Sequence, residues 1–226
     1  MRVSRKVPSH ERIHARVRDM VLHGDLAPGE AVTIQGLCDR LGAGMTPVRE
    51  AIRRLTAEGA LTPLGNRRVG VPRLGADTLA EIAFARLAIE PRLAALAAPR
   101  LGPEVIARLA GIDAALDAAI AAGDVRGYLR HNHRFHFTLY EAAAAPVLMA
   151  LAGALWLRVA PSLRVVCVGA AGLPDRHRQA LRAAEARDAA RLAAAVRADI
   201  AEGMAHVQRS LCPDASGSPA EFDQIP

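Results

Sequence analysis

Apolar residues recur at helical spacing through the first third of the chain. Between His10 and His23, intervals of three and four residues predict a first amphipathic helix. A second helix is predicted to follow Thr33, whose side chain can cap it, and to end at Gly42. The buried face of this second helix is predicted to consist of Ile34, Leu37, Cys38 and Leu41.

A third helix and a hairpin are predicted directly after the second helix. Thr46 can cap the third helix, and Pro47 at its first position loses no hydrogen bond. Two short apolar runs, at 61–63 and 69–71, with a turn at 65–66, predict a two-stranded wing. The core face of the third helix is predicted from Val48, Ala51, Ile52 and Leu55. This order of elements is that of a winged helix-turn-helix.

The chain changes character after residue 76. It becomes rich in alanine and keeps helical spacing without any strand pattern. Residues 213–226, rich in proline, serine, glycine and acid, are predicted to form a disordered tail. About six helices are predicted, over 77–99, 103–122, 124–144, from 146 with a break near Pro161, 174–186 and 188–210. The predicted fold class is therefore mainly α, with a winged helix-turn-helix in residues 1–72 and an all-α domain in residues 77–212.

The charge distribution separates the same two regions. The net charge is +6, and residues 1–72 contribute +5 of it from 12 Lys and Arg against 7 Asp and Glu. Because clustered basic residues neutralise phosphates, the first region is predicted to bind nucleic acid. Arg49, Arg53 and Arg54 lie off the buried face of the third helix and can reach phosphates or guanine edges in a major groove. The alternative is an ordinary solvated helix face.

Composition argues against a secreted or membrane protein. The three cysteines, Cys38, Cys167 and Cys212, show no pairing pattern and are predicted to be free thiols in a reducing cytoplasm. No run of about 18 uninterrupted apolar residues is present, as a membrane-spanning helix would need. We therefore expect a cytoplasmic protein with no membrane partner.

The N-terminal motifs resemble the winged helix-turn-helix of GntR-family bacterial transcription regulators. The resemblance rests on GDLAPGE, LCDRLGAG, TPVREAIRRL, EGAL and NRRVGV, and covers most of the first 72 residues. Family members usually carry Ser-Arg where this chain has Gly44 and Met45, so one DNA-contacting arginine is missing, and either the operator differs or binding is weaker. The resemblance implies that double-stranded operator DNA is bound by Gln35, Met45, Thr46, Arg49, Arg53, Asn66, Arg67 and Arg68.

The second region resembles the FCD ligand-binding domain of the FadR subfamily. The matching stretches are RLAIE at 86–90, NHRFH at 132–136, DRH at 175–177 and ARD at 186–188. The resemblance implies an antiparallel helical bundle. It further implies a homodimer whose operator affinity is controlled by a small organic acid or sugar acid bound in this domain.

Four polar residues of the second region match the metal-binding positions of FCD domains. On a helix, Asn132 and His136 project from one face because they are four residues apart. The family holds a divalent metal with an aspartate and three histidines. His136 and His177 match that set, whereas Asn132 replaces the aspartate and Asp199 replaces the last histidine. Such ligands suit zinc, nickel or manganese, and the amide predicts weaker binding; the alternative is two buried histidines satisfied by hydrogen bonds.

Three other polar residues of the second region, Arg86, His131 and His133, also need an interpretation. Arg86 can reach an organic acid in the cavity as an effector-binding residue, or pair with Glu90 one helical turn later. His131 and His133 point away from the face of His136 and are expected to be solvent-facing.

Three functions compete for these features. A ligand-responsive regulator, a repressor by family resemblance, would bind two operator half-sites as a dimer, and the effector would change the spacing of its two DNA-binding units. An architectural DNA-binding protein leaves the length of the second domain unexplained. A metal-dependent hydrolase is supported only by the His/Asp set, since no HExxH, P-loop or nucleophile-elbow motif occurs. We therefore predict a regulator and not an enzyme.

Overall fold

The structure is a computed structural model that describes residues 9–169 and 175–211. The chain divides after Arg73 into two compact units, each with its own buried apolar residues. The predicted tail at 213–226 and Cys212 lie outside the described residues. Cys38 and Cys167 are free and buried.

The N-terminal unit contains three helices and three short strands. Helix α1 packs against α3, and α2 also packs against α3. The side chains of Val17, Val21, Leu37, Val48 and Leu55 are fully buried between them. The elements are α1 (Ser9–Leu22), β1 (Ala31–Thr33), α2 (Ile34–Leu41), α3 (Met45–Ala57), β2 (Thr62–Pro63) and β3 (Arg68–Gly70).

The turn between α2 and α3 is fixed by local hydrogen bonds. As predicted, the Thr33 hydroxyl accepts a hydrogen bond from the Gly36 amide at 2.9 Å, and Gly42 ends α2 in a left-handed conformation with φ 58°. The predicted Thr46 cap is wrong, because α3 already begins at Met45, with Gly44 as a cap that uses no side chain. Pro47 still costs no hydrogen bond, since the first four amides of a helix have no intrahelical acceptor.

The wing is a three-stranded antiparallel sheet in the order β1-β3-β2. Val69 of β3 lies opposite Val32 of β1 and Pro63 of β2. The sequence predicted β2 and β3 but missed β1, because β1 is stabilised by pairing with β3, which is distant in sequence. The tip is a tight turn in which Gly65, Asn66 and Arg67 all have positive φ.

The C-terminal unit is helical throughout its described residues. Helix α10 packs against α4 and α9, while α5 packs against α6. Two short 3-10 turns, Ala98–Arg100 and Ala160–Leu163, follow α4 and α7. The helices are α4 (Ala76–Ala97), α5 (Pro103–Ala121), α6 (Val125–Glu141), α7 (Pro146–Val159), α8 (Arg164–Gly169), α9 (Arg176–Glu185) and α10 (Ala189–Leu211). The described part thus has seven α-helices where about six were predicted, because α8 continues after the turn that contains Pro161.

Aspartate caps mark the beginning of three helices of the C-terminal unit, α6, α9 and α10. The Asp124 carboxylate accepts a hydrogen bond from the Gly127 amide at 2.9 Å and begins α6. Asp175 accepts a hydrogen bond from the backbone amide of Arg178 at 2.8 Å at the start of α9. Asp188 accepts one from the backbone amide of Arg191 at 2.9 Å at the start of α10.

One segment is apolar enough to be compared with a membrane span. By length and composition alone, Pro146–Cys167 could cross a bilayer, with a mean hydropathy of 1.5. It is nevertheless interrupted by the 3-10 turn at Ala160–Leu163, and 44% of it is buried inside the protein. A core helix passes the same test, so a single segment of this kind is weak evidence for a membrane span.

The C-terminal end of α6 supplies a test of backbone strain. Ala144 has a positive φ of 51°, which costs an L-residue about 1–2 kcal/mol and costs glycine almost nothing. We expect Ala144→Gly to raise the free energy of unfolding of this unit by about 0.5–1 kcal/mol, after subtracting glycine's greater unfolded-state entropy. Ala142, with φ −67°, is the control, and Ala142→Gly should instead lower stability. Urea unfolding followed by circular dichroism measures both, and an equal effect of the two substitutions would contradict the assignment.

Candidate metal and effector site, and candidate DNA-binding surface

Three helices of the C-terminal unit bring together the four residues predicted to hold a metal. Nε2 of His136 on α6 lies 3.1 Å from Oδ2 of Asp199 on α10, and Nε2 of His177 on α9 lies 3.8 Å from Oδ1 of Asp199. The ligand atoms of these three residues all lie within 4.8 Å of one another. Asn132 lines the two cavities that adjoin these three residues and is only 7% exposed.

His177 is oriented by a carboxylate behind it. Its Nδ1 lies 3.2 Å from Oδ1 of Asp113 on α5, and its ring stacks on Phe135 at a centroid distance of 3.9 Å. A carboxylate can only accept, so Nδ1 carries the proton and donates. The lone pair of Nε2 is therefore left to face Asp199, which is the arrangement common behind metal-binding histidines.

His136 is oriented by a longer hydrogen-bonded chain. The Tyr140 hydroxyl donates to Oε2 of Glu90 at 2.8 Å, so its oxygen accepts from Nδ1 of His136 at 3.0 Å. Nδ1 must then carry the proton, and Nε2 again presents a lone pair to Asp199. Nε2 is buried and makes no well-aligned hydrogen bond despite its short distance to the carboxylate.

Glu90 is the centre of this chain and is completely buried. It accepts from Nε of Arg86 at 2.5 Å, from the Trp156 indole at 2.9 Å and from Tyr140. The Arg86 guanidinium also lies 4.5 Å from the centroid of the Trp156 ring. Of the two interpretations of Arg86, the structure thus shows the pairing with Glu90, although Arg86 also lines a small cavity.

The arrangement of these side chains has the chemistry of a cation site. Two imidazole lone pairs and a carboxylate converge, and no hydrogen lies between His136 and Asp199 when His136 has the tautomer described above. Burial lowers the pKa of His136, which favours that neutral form. Burial opposes ionisation of Asp199 too, but the adjacent imidazole rings of His136 and His177 lower its pKa to about 2. Such a set of acceptors fits a divalent cation.

His177 differs from His136 in its ionisation. Burial alone would lower the pKa of His177, but the hydrogen bond to Asp113 and the charge of Asp199 outweigh burial and raise the pKa. The neutral form is therefore favoured at His136, and the protonated form is favoured at His177, which lies between the carboxylates of Asp113 and Asp199.

Two neighbouring cavities, here called the large and the small lobe, adjoin the cluster. The large lobe, about 240 Å³, contains His177, Asp113, Asp117 and Asp175 in its lining. The small lobe, about 70 Å³, contains Arg86 and His136. The two lobes share Tyr128, Asn132, Val166, Arg176 and Asp199. A larger groove of about 400 Å³ between α9 and α10 is lined mainly by alanine and arginine and shares only Arg176 with them.

In the N-terminal unit, all eight residues predicted to contact DNA are exposed. They are Gln35, Met45, Thr46, Arg49, Arg53, Asn66, Arg67 and Arg68. Arg53 is occupied by hydrogen bonds to Glu50 at 2.9 and 2.7 Å, and Gln35 donates to Asp39 at 3.0 Å. Within the described residues, Arg49 forms no ion pair or side-chain hydrogen bond. Arg49 is therefore the cation of α3, the candidate recognition helix, that is most available to a ligand.

The wing tip is attached to the start of α2. The Ile34 amide donates to the carbonyl oxygen of Arg67 at 3.1 Å, so the tip is held beside the helix-turn-helix. The exposed side chains of Arg67 and Arg68 extend from this fixed turn. Two basic elements, α3 and the wing tip, therefore belong to one small unit.

Comparison with known proteins identifies both units. Residues 9–71 match the bacterial regulatory proteins of the gntR family, and residues 81–202 match the FCD domain. The chain belongs to the gntR family of regulators that carry an FCD domain. It is a transcriptional regulator with a DNA-binding helix-turn-helix and an FCD effector-binding domain, as the sequence predicted.

Individual relatives of this regulator have related descriptions. It is 33% identical over 140 residues to the HTH-type transcriptional regulator McbR of Escherichia coli (strain K12), covering 62% of this chain and 63% of McbR. It is 34% identical over 114 residues to the Nta operon transcriptional regulator of Aminobacter aminovorans, covering 50% of this chain and 53% of that relative. The solved structure of Escherichia coli McbR/YncC has a TM-score of 0.81 at 25% identity, covering 91% and 99% of the two chains.

These matches decide between the function classes. The matched domains and the relatives are transcription regulators and not enzymes. The hydrolase alternative therefore has no support. A second solved regulator, from Rhodococcus sp. RHA1, has a TM-score of 0.70 at 19% identity and shows the shared fold alone.

Some features of the regulator's site escaped sequence reasoning. His131 and His133 were expected to face solvent, but both are half-buried, and His133 stacks on Phe137 at a centroid distance of 4.3 Å. Asp113 was missed, although an acid beside Ile112 on the apolar face of a predicted helix was a usable signal. Tyr140 had a similar signal, because it lies one turn after His136 on the same helix.

Proposed function

We propose that this regulator is a cytoplasmic homodimeric repressor that releases operator DNA when a small carboxylate binds in its C-terminal unit. The convergence of His136, His177 and Asp199 on one point beside a cavity is the observation that carries the effector part of this proposal. The exposed basic α3 and wing tip support the DNA-binding part.

His136, His177 and Asp199 would hold a divalent metal ion, with Asn132 as a fourth, weaker ligand. Such an ion supplies a positive centre that attracts a carboxylate. The protein's own contribution is to hold the proton of each neutral ring on Nδ1, through Asp113 and Tyr140, so that Nε2 faces the site. His177, whose pKa is raised, would lose the second proton from Nε2 on binding a cation. Zinc, nickel and manganese all accept this mixture of nitrogen and oxygen donors.

Exposed apolar side chains support the homodimer. Phe84 on α4 is 51% exposed, and Val147 and Leu151 on α7 are 71% and 48% exposed. Helices α4 and α7 pack against each other, so these side chains belong to neighbouring elements. Two copies would place two recognition helices on two half-sites, and an effector-induced shift between copies would spoil both contacts together.

Arg49→Ala should weaken operator binding strongly. The guanidinium of Arg49 is exposed and forms no ion pair among the described residues, so its loss removes a contact rather than rearranging the protein. A base-edge contact predicts a loss of about 1–3 kcal/mol, or roughly 5- to 150-fold in affinity. A phosphate contact predicts a salt dependence that is reduced by about one unit of slope. Fluorescence anisotropy with a duplex from the neighbouring promoter, at several salt concentrations, measures both.

The control is Arg191→Ala, which removes one positive charge from the other unit. Arg191 is 82% exposed and lies at the start of α10. It should leave operator affinity almost unchanged. Equal effects of the two substitutions, or unchanged affinity in Arg49→Ala, would contradict the assignment of α3 as the recognition helix.

A further inference from the structure

The large lobe beside the candidate metal site is acidic. Four aspartates line it, namely Asp113, Asp117, Asp175 and Asp199. Arg176 is the only basic side chain in this lining other than His177, and its guanidinium is bonded to Glu202 and to Gln179. A second carboxylate on a ligand would therefore meet like charge in this lobe.

The aspartates of the lobe are only partly compensated. Arg178 lies outside the lining and reaches Asp175 at 3.0 Å and Asp117 at 3.7 Å. Asp113 is satisfied by His177. Burial, together with the neighbouring charges of Asp113 and Asp175, raises the pKa of Asp117.

Two buried polar groups indicate that the cavities are built for a ligand. Asn132 is 93% buried by its 7% exposure, lines both lobes, and forms no side-chain hydrogen bond within the described residues. Nε2 of His136, which lines the small lobe, is also without a well-aligned partner. An amide that lines a cavity without a protein partner can be satisfied by a ligand or by water.

We propose that the effector is a carboxylic acid with an ammonium group at its other end, and that this ammonium group occupies the acidic large lobe. The inference rests on the proposed function, in which the carboxylate end lies beside His136, His177 and Asp199. The distal ammonium group donates to Asp117 and Asp175. Amino acids and other amine-bearing acids have this chemistry, whereas dicarboxylates do not.

A matched set of linear five-carbon acids tests the proposal. We expect 5-aminopentanoate to bind the zinc-supplemented full chain at least 10-fold more tightly than glutarate, with 5-hydroxypentanoate between them. Isothermal titration calorimetry measures all three. The same calorimetry on the Asp117→Asn/Asp175→Asn variant should show the preference for 5-aminopentanoate reduced to less than 3-fold.

The control is Asp188→Asn, which should keep the preference of the wild type. Asp175 and Asp188 each cap a helix by accepting from the backbone amide three residues later, and each pairs with the arginine at that position. Asparagine preserves the cap, so Asp188→Asn controls for the loss of a capping charge and its ion pair outside the lobe. Glutarate binding as tightly as 5-aminopentanoate would overturn the proposal, as would a preference that survives in Asp117→Asn/Asp175→Asn. Failure of all three acids to bind would also overturn it, whereas failure of the regulator function would appear separately, as lost operator binding by the wild type.

Discussion

Glu90→Gln is expected to destabilise the C-terminal unit by about 3–5 kcal/mol, because it leaves the buried Arg86 guanidinium without a counter-charge. Glu90 is fully buried and accepts hydrogen bonds from Arg86, Tyr140 and Trp156. Glutamine has nearly the same shape, so packing is retained while the charge and one acceptor are lost. Chemical unfolding of the full chain, followed by the fluorescence of Trp156, measures the change directly.

Two further variants separate charge from other causes. Glu141→Gln makes the same substitution at an exposed pair with Arg108, whose atoms lie 3.5 Å apart, and should change stability by less than about 0.5 kcal/mol. Arg86→Met in the Glu90→Gln background removes the unpaired cation and should recover part of the lost stability. A loss no larger than that of Glu141→Gln would contradict the role of Glu90, and so would a double variant less stable than Glu90→Gln.

The DNA-binding unit could be predicted closely because its information is local. Helix α2 begins after Thr33 and ends at Gly42, and each of these residues makes its hydrogen bonds to residues three or four positions away. Both partners of each interaction therefore lie within one short stretch of sequence. The Thr46 cap failed because two start positions for α3 differ little in energy when proline occupies the first turn. Strand β1 depends on pairing with β3 more than thirty residues later, which short-range pattern cannot reveal.

The candidate metal cluster, in contrast, depends mainly on contacts between residues that are distant in sequence. Asn132 and His136 could be placed on one face from their spacing, but His177 and Asp199 were added through the family resemblance. The groups that set the histidine tautomers come from distant positions, with Glu90 fifty residues before Tyr140 and Asp113 sixty-four before His177. Helix packing creates these contacts, so periodicity along one helix does not predict them.

The acid lining of the large lobe is a second consequence of packing. Asp117 is on α5, Asp175 caps α9 and Asp199 is on α10, and each has an ordinary explanation when its own helix is considered alone. Their shared cavity changes the expected effector, because charges that are close in space act together even when they are distant in sequence. Sequence reasoning favoured a simple carboxylate, and the lining favours one with a distal ammonium group.

Zinc is expected to stabilise the wild type and to have little effect on variants that lack a ligand. At a free zinc concentration about 100-fold above the dissociation constant, binding to the native state contributes about 2.7 kcal/mol. For a chain of this size, that corresponds to a rise in melting temperature of roughly 5–10 °C. His136→Ala and Asp199→Ala should lose this rise, because each removes one of the three converging ligand atoms. Differential scanning calorimetry with and without zinc measures it.

Three further variants test this prediction: one changes a histidine outside the cluster, one replaces a ligand, and one changes a residue that orients a ligand. His131→Ala removes a half-buried histidine outside the cluster and should keep the zinc-dependent rise. Asn132→Asp supplies a carboxylate in place of the weaker amide and should tighten zinc binding. Tyr140→Phe removes the acceptor that holds the Nδ1 proton of His136, and should weaken zinc binding about 10- to 100-fold without removing a ligand. A wild type whose melting temperature ignores zinc, or an undiminished rise in His136→Ala, would show that the two histidines are held by their hydrogen bonds alone.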